Sequence, residues 1–156
     1  MNIKVHRIRE GAKLPTRAYE SDAGMDIYYC PNGRKLPPLI IEEGVPISPR
    51  QSVLLSTGIK VEVPYGHMLE IKNKSGIASK KQLIVGACVV DPGYDGELFV
   101  NLQNIGLTTQ YIQPGDKIAQ AVLVPIVHCG IEEVYEDNLN ANTLRGIGGF
   151  GSTGNR

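Results

Sequence analysis

The chain ends on Arg145-Gly146-Ile147-Gly148-Gly149-Phe150-Gly151-Ser152-Thr153-Gly154-Asn155-Arg156, and five of these residues are glycine. Glycines let a backbone curl closely around a ligand and aim several N–H groups at one anion. Arg145 can grip a phosphate through two parallel hydrogen bonds. Phe150 offers a flat face to a base. Ser152 and Thr153 are adjacent hydroxyls. A glycine-rich terminus is also what a simple disordered tail looks like. Both descriptions fit a mobile arm that orders over a nucleotide.

Four more clusters carry chemistry-bearing types, and each has a plainer reading beside it. Asp22-Ala23-Gly24-Met25-Asp26 sets two acids around a glycine, for a metal or a phosphate-binding cation, or simply for a turn. Lys72-Asn73-Lys74-Ser75-Gly76 joins cations, a hydroxyl and a glycine where a helix starts. That suits an anion or an N-capped helix with a solvated lysine. Val89-Val90-Asp91-Pro92-Gly93-Tyr94-Asp95-Gly96-Glu97 runs an apolar strand into an acidic turn. Asp91 there can take a proton from water, or the segment is a hairpin with a polar tip. In Gly115-Asp116-Lys117-Ile118-Ala119-Gln120, Lys117 and Gln120 are phosphate donors or a solvent-facing strand start.

The elements that must position these groups read as strands. Ile3–Ile8, Val53–Leu55, Ile59–Val63, Met68–Ile71 and Leu98–Leu102 are short, alternating or rich in β-branched residues. Ala119–Val127 is nearly all apolar and is expected to be buried on both faces. Pro64-Tyr65-Gly66, Asp91-Pro92-Gly93 and Pro114-Gly115-Asp116 supply turns. Ten prolines and eighteen glycines leave room for one short helix, near Ser75–Gln82, with Ser75 as its cap. The expected fold is all-β, a sandwich or barrel. Pro31–Pro38 reads as an exposed loop.

Composition sets limits. With 156 residues the chain has the length of one domain. Sixteen basic and sixteen acidic residues cancel, which argues against coating a nucleic acid but not against a pocket for one small anion. Cys30, Cys88 and Cys129 are three, unpaired by spacing. They are expected to be free and mostly buried, in a reducing cytosol. No apolar run approaches a membrane span and no secretory leader is evident, so a cytoplasmic location, or host cytoplasm for a viral protein, is expected.

In this order, the five clusters from Asp22 to Gly154 resemble the five motifs of the trimeric dUTPase family. Arg145–Gly154 and Asp91–Glu97 carry most of that specificity. The resemblance implies a jelly-roll-like distorted β-barrel over residues 1–144, a mobile arm over 145–156, and a homotrimer with shared sites. It implies hydrolysis of dUTP to dUMP and diphosphate with Mg²⁺, which keeps uracil out of DNA and supplies dUMP for dTMP synthesis. Asp91 would activate the attacking water and Tyr94 would pack on the deoxyribose. The strand with Gly86, Cys88 and Val90 would read uracil through its backbone. Lys74, Ser75, Gly76 and Gln120 would hold phosphates. Phe150 and Gly151 would cover the base, while Arg145, Ser152 and Thr153 clamp the triphosphate. Asp26 would support the metal through water. A dCTP deaminase of the same fold, or an added regulatory protein-binding role, is the alternative. Lys74 and Lys117 stand where the family often has arginine, and Cys88 where glycine is common.

Overall fold

A computed structural model describes residues 2–32, 44–135, 139 and 146. Its strands are β1 (Lys4–Arg7), β2 (Met25–Tyr28), β3 (Val45–Ile47), β4 (Ser52–Ser56), β5 (Ile59–Glu62) and β6 (His67–Lys72). After the helix α1 (Ser75–Lys81) come β7 (Leu83–Val85), β8 (Val89–Val90), β9 (Phe99–Asn104), β10 (Gln110–Ile112) and β11 (Lys117–Pro125). All named pairings are antiparallel. They form the sheets β1-β5, β10-β3, β2-β11-β6-β8 and β4-β9-β7.

Period-two patterning explains the packing. In β5, Ile59 and Val61 point inward while Lys60 and Glu62 face water. Val100, Leu102 and the polar Asn104 are the buried row of β9. Asn104 is tolerated there because its side-chain amide donates to the Ile47 and Thr108 carbonyls and its side-chain oxygen accepts from Gly106. The core joins these rows to Ile27, Leu55, Leu69, Ile71, Leu83, Ile112 and Ile118.

Several expectations need correction. β11 is fully buried only around Ile118, Ala119 and Ala121, its later residues are half-buried, and Val127 lies beyond the strand, 91% exposed. Ser75 does not cap α1. It is already the first helical residue, Lys74 holds the cap position, and no side-chain cap bond forms. Only Cys30 is buried, with Cys88 and Cys129 exposed. The stretch 86–90 is not one strand, because residues 86–88 separate β7 from β8. Most of the 31–38 loop lies outside the described residues. Among the described residues, no helix is long and apolar enough to cross a membrane.

One ion pair ties the chain's start to the third motif. Arg9 meets Glu97 through two bonds of 2.6 and 2.5 Å, and Glu97 also accepts the Gly58 N–H at 2.8 Å. Burial alone would raise the Glu97 carboxyl, but the bonds from Arg9 and Gly58 hold its pKa below the usual 4.5. The folded pKa is therefore lower than the unfolded one. Glu97 contributes its full stability above pH 4.5 and loses it as pH falls through the folded value. Glu97→Gln should cost about 2–3 kcal/mol at pH 7. Urea midpoints should fall less steeply with acid in this variant than in the parent, and parallel curves would contradict the assignment.

Candidate active site

Three strands place the first, second and fourth clusters side by side. Asp26 of β2 lies opposite Gln120 of β11, and Gln120 lies opposite Lys72 of β6. Two residues past Lys72, Lys74 turns back over this row. Its ammonium donates to Asp26 Oδ1 at 2.6 Å, and Lys117 meets Asp26 Oδ2 at 2.7 Å. The Asp26 side chain is only 7% exposed, so it needs these partners. Burial pushes its carboxyl up, but the bonds from Lys117 and Lys74 overcome this and hold it below the usual carboxylate value. Asp26 in turn raises the Lys117 ammonium. Two ammoniums thus converge on one carboxylate, and either could turn to an incoming anion while the other stays on Asp26.

A cavity of about 310 Å³ opens here, lined by Asp22, Gly24, Asp26, Lys74 and Gln120 among others. Gly24 makes room, since a Cβ there would collide with the Gln120 side-chain carbonyl. Gln120 Nε2 donates to the Asn73 carbonyl at 2.9 Å. Asp22 is the turn former that composition suggests: its carboxylate accepts the Tyr19 N–H at 3.0 Å. Ser75 and Gly76 are exposed at the start of α1, and the space around Gly76 is open.

The third cluster lies on the other edge of β6. Val90 of β8 is opposite Leu69, and the Cys88 carbonyl accepts the Ile71 N–H at 2.7 Å. That carbonyl is therefore engaged within the sheet. Antiparallel alternation turns the main-chain groups of Val89, not those of Cys88 and Val90, to the open side. The sequence points to the stretch from Gly86 to Val90 as a whole and does not single out Val89, because only the register reveals which residues face outward. Gly86 donates its N–H to the Asn101 carbonyl at 3.0 Å, and a Cβ on it would strike the Asn101 and Gln103 side chains. Asp91 is exposed. Tyr94 is half exposed, its ring lies over Gly96, and its hydroxyl donates to the Glu97 carbonyl at 2.9 Å. Glu97 itself serves the Arg9 ion pair.

Asp91 and Lys74 are not brought together within the chain. Val90 pairs with Leu69 on one edge of β6, and Gln120 pairs with Lys72 on the other. Strand rise and spacing put Val90 and Gln120 about 14 Å apart. Arg145, Phe150, Gly151, Ser152 and Thr153 lie outside the described residues.

Gly24→Ala tests the packing at the cavity. The added methyl should push Gln120 off the Asn73 carbonyl, shifting the Gln120 side-chain amide signals in a ¹H–¹⁵N spectrum. Unchanged signals would show that Gln120 does not depend on that space.

The family model for dUTPase matches residues 10–154. The deoxyuridine 5'-triphosphate nucleotidohydrolase of Clostridium tetani is 37% identical over 154 residues, covering 97% of this chain and 96% of its own. The dUTPase of Staphylococcus bacteriophage 80alpha, solved with dUpNHpp, is 26% identical with a TM-score of 0.81, and 98% of each chain is covered. A mutant dUTPase from phage phi11 of S. aureus, described for its coordination of a structural Mg(II) ion, is 25% identical. Its TM-score is 0.71, covering 87% of this chain and 98% of its own. With the family model spanning all five clusters and the relatives matching nearly end to end, this mostly-β chain belongs to the dUTPase family.

Proposed function

We infer that the chain hydrolyses dUTP to dUMP and diphosphate. The observation that carries this reading is the cavity at Asp26, where Lys74 and Lys117 share one carboxylate beside Gln120. It is joined in one chain to an exposed Asp91 beside Tyr94. A triphosphate is strongly anionic, so its cleavage depends on donors already aimed at the β and γ groups.

In this mechanism the Asp91 carboxylate takes a proton from water. The water oxygen bonds to the α-phosphorus, the bond to the α–β bridging oxygen breaks, and diphosphate leaves with that electron pair. The proton passes from Asp91 to solvent. Tyr94, held by Gly96 and the Glu97 carbonyl, packs on the deoxyribose and leaves no room for a 2′-hydroxyl. Main-chain groups from Gly86 to Val90 read the uracil edge, with those of Val89 on the open side. Lys74, Ser75, Gly76 and Gln120 hold phosphates. Phe150 and Gly151 cover the base, and Arg145, Ser152 and Thr153 bind the triphosphate.

The separation of Asp91 from Lys74 supports a shared site. Adjacent phosphates are joined by a single oxygen, so one triphosphate is too short to reach across the two edges of β6, where Val90 and Gln120 stand about 14 Å apart. Asp91 of one subunit therefore works with Lys74 of another, in a homotrimer. Mg²⁺ fits this donor set as an ion carried by the substrate. Both Asp26 oxygens hold lysines, and among the described residues no cluster of three or more acids, histidines or cysteines forms a cage. Mg²⁺ commonly binds through phosphates and waters. Asp26 would reach it through water, and the ion would neutralise phosphate charge.

Asp91→Asn should lower kcat by about 10²–10⁴ while leaving the affinity for dUpNHpp within a few fold. Near-parental turnover would remove Asp91 from the mechanism. Lys74→Ala should lose about 2–4 kcal/mol of transition-state stabilisation, by analogy with other anion donors, and Lys74→Arg less. Equal activity of Lys74→Ala and the parent would assign that phosphate to other groups. Phe150→Ala should weaken dUTP turnover by the about 1–3 kcal/mol of a base stack, whereas Phe150→Trp retains most of it. An unchanged kcat/KM in Phe150→Ala would contradict the stack.

A further inference from the structure

Asn73 stands at a junction that no part of the mechanism above uses. It follows β6 directly and precedes Lys74. Its side-chain oxygen accepts the Val85 N–H at 2.6 Å, while its main-chain carbonyl accepts Gln120 Nε2 at 2.9 Å. Val85 is the last residue of β7, immediately before Gly86. Along the same edge, the Cys88 carbonyl accepts the Ile71 N–H at 2.7 Å. Between these two bonds Gly86 makes a last bond to the Asn101 carbonyl of β9, and the chain then leaves the strand through Ala87. The Asn73 amide thus stands in for a main-chain acceptor after β6 has ended, and closes the far side of the bend at Gly86.

We propose that Asn73 is a positioning residue for dUTP hydrolysis, fixing the base-reading bend at 86–88 to the phosphate loop at 74–76 and orienting Gln120. The role rests on the dUTPase reading of the site. Asn73 touches no reacting atom. It sets the spacing between one chain's base-reading edge and its own phosphate loop, which in a shared site serve different substrates. An amide oxygen suits this place. It reaches one residue farther than the backbone, it accepts without charge, and it leaves the carbonyl of the same residue free for Gln120. An aspartate there would keep the acceptor but add a charge, because the flanking Lys72 and Lys74 already pair with Glu70 and Asp26.

The experiment compares the parent, Asn73→Ala and Asn73→Asp, all full length, by dUTP kinetics, melting temperature and hydrogen exchange at the Val85 amide. Alanine removes the acceptor and leaves the main-chain carbonyl. In that variant Val85 exchange should accelerate, KM should rise and kcat should fall. The combined loss in kcat/KM should be about 10- to 100-fold, the range expected when reacting groups are misplaced by a fraction of an ångström to an ångström. Melting should move by no more than about 4 °C. Asn73→Asp should restore Val85 protection and most of kcat/KM. The proposal is overturned if Asn73→Ala keeps kcat/KM within twofold of the parent. It is equally overturned if aspartate leaves Val85 exchange as fast as alanine does, or if only the melting temperature moves. A parent that releases no diphosphate from dUTP would instead overturn the enzymatic reading, and Val85 exchange would still report the contact by itself.

Discussion

Strand β6 governs how this site can be built. Its two edges are both occupied, by β11 on one side and β8 on the other. Whatever β11 carries toward Asp26 is thereby held apart from whatever β8 carries toward Asp91. The cluster of Asp26, Lys74 and Lys117 gathers at the Lys72 end of β6, against Gln120 and β2. The acidic turn leaves β8 past the Leu69–Val90 pair. Antiparallel register fixes this separation as firmly as it fixes the core, because slipping β6 by one residue would turn Leu69 and Ile71 out to solvent. Neither half can be moved toward the other without unmaking the sheet.

Charge balance shapes the phosphate side. Asp26 sits in a strand whose neighbours Met25 and Ile27 are buried, and a lone carboxylate there would be costly. Two ammoniums arriving from β11 and from the β6–α1 turn offset that cost. Lys74 stands in the wall of a small cavity beside Asp26 and Gln120. A substrate phosphate that takes over Lys74 leaves Lys117 to neutralise Asp26, so the carboxylate is not stranded when the anion binds. Lysine's single flexible ammonium suits such an exchange better than the rigid fork of arginine. The departure from arginine at positions 74 and 117 thus has a use within this network.

Much of the fold was legible from local pattern. The alternation of Ile59-Lys60-Val61-Glu62 announces β5, and the apolar row of β9 is as clear. The strand β2 escaped notice because Asp26 interrupts its apolar run, and its lysine partners are distant in sequence. β7 is too short for periodicity to register, and the apolar strand read at Val89-Val90 is only two residues long; they exist because β9 and β6 offer them edges. Ser75 looked like a helix cap since its type favours that position, but the turn that aims Lys74 at Asp26 starts the helix one residue earlier. Residue types and family motifs are also what single out the groups assigned to the proposed chemistry. What sequence could not show was geometry: that Glu97 belongs to Arg9, that Val89 faces outward, and that Asn73 ties the two halves of the chain's contribution together.

The central claim is that Asp91 and Lys74 meet only between chains. It is tested most directly by co-expressing Asp91→Asn and Lys74→Ala chains with different affinity tags and isolating assemblies that carry both. Each parent variant alone has no intact site. In a mixed cyclic trimer, one interface pairs an intact Asp91 with an intact Lys74, so about one third of parental kcat per trimer should return. Activity no greater than that of the two variants assayed separately would contradict the account, and would place both residues in the same chain's site.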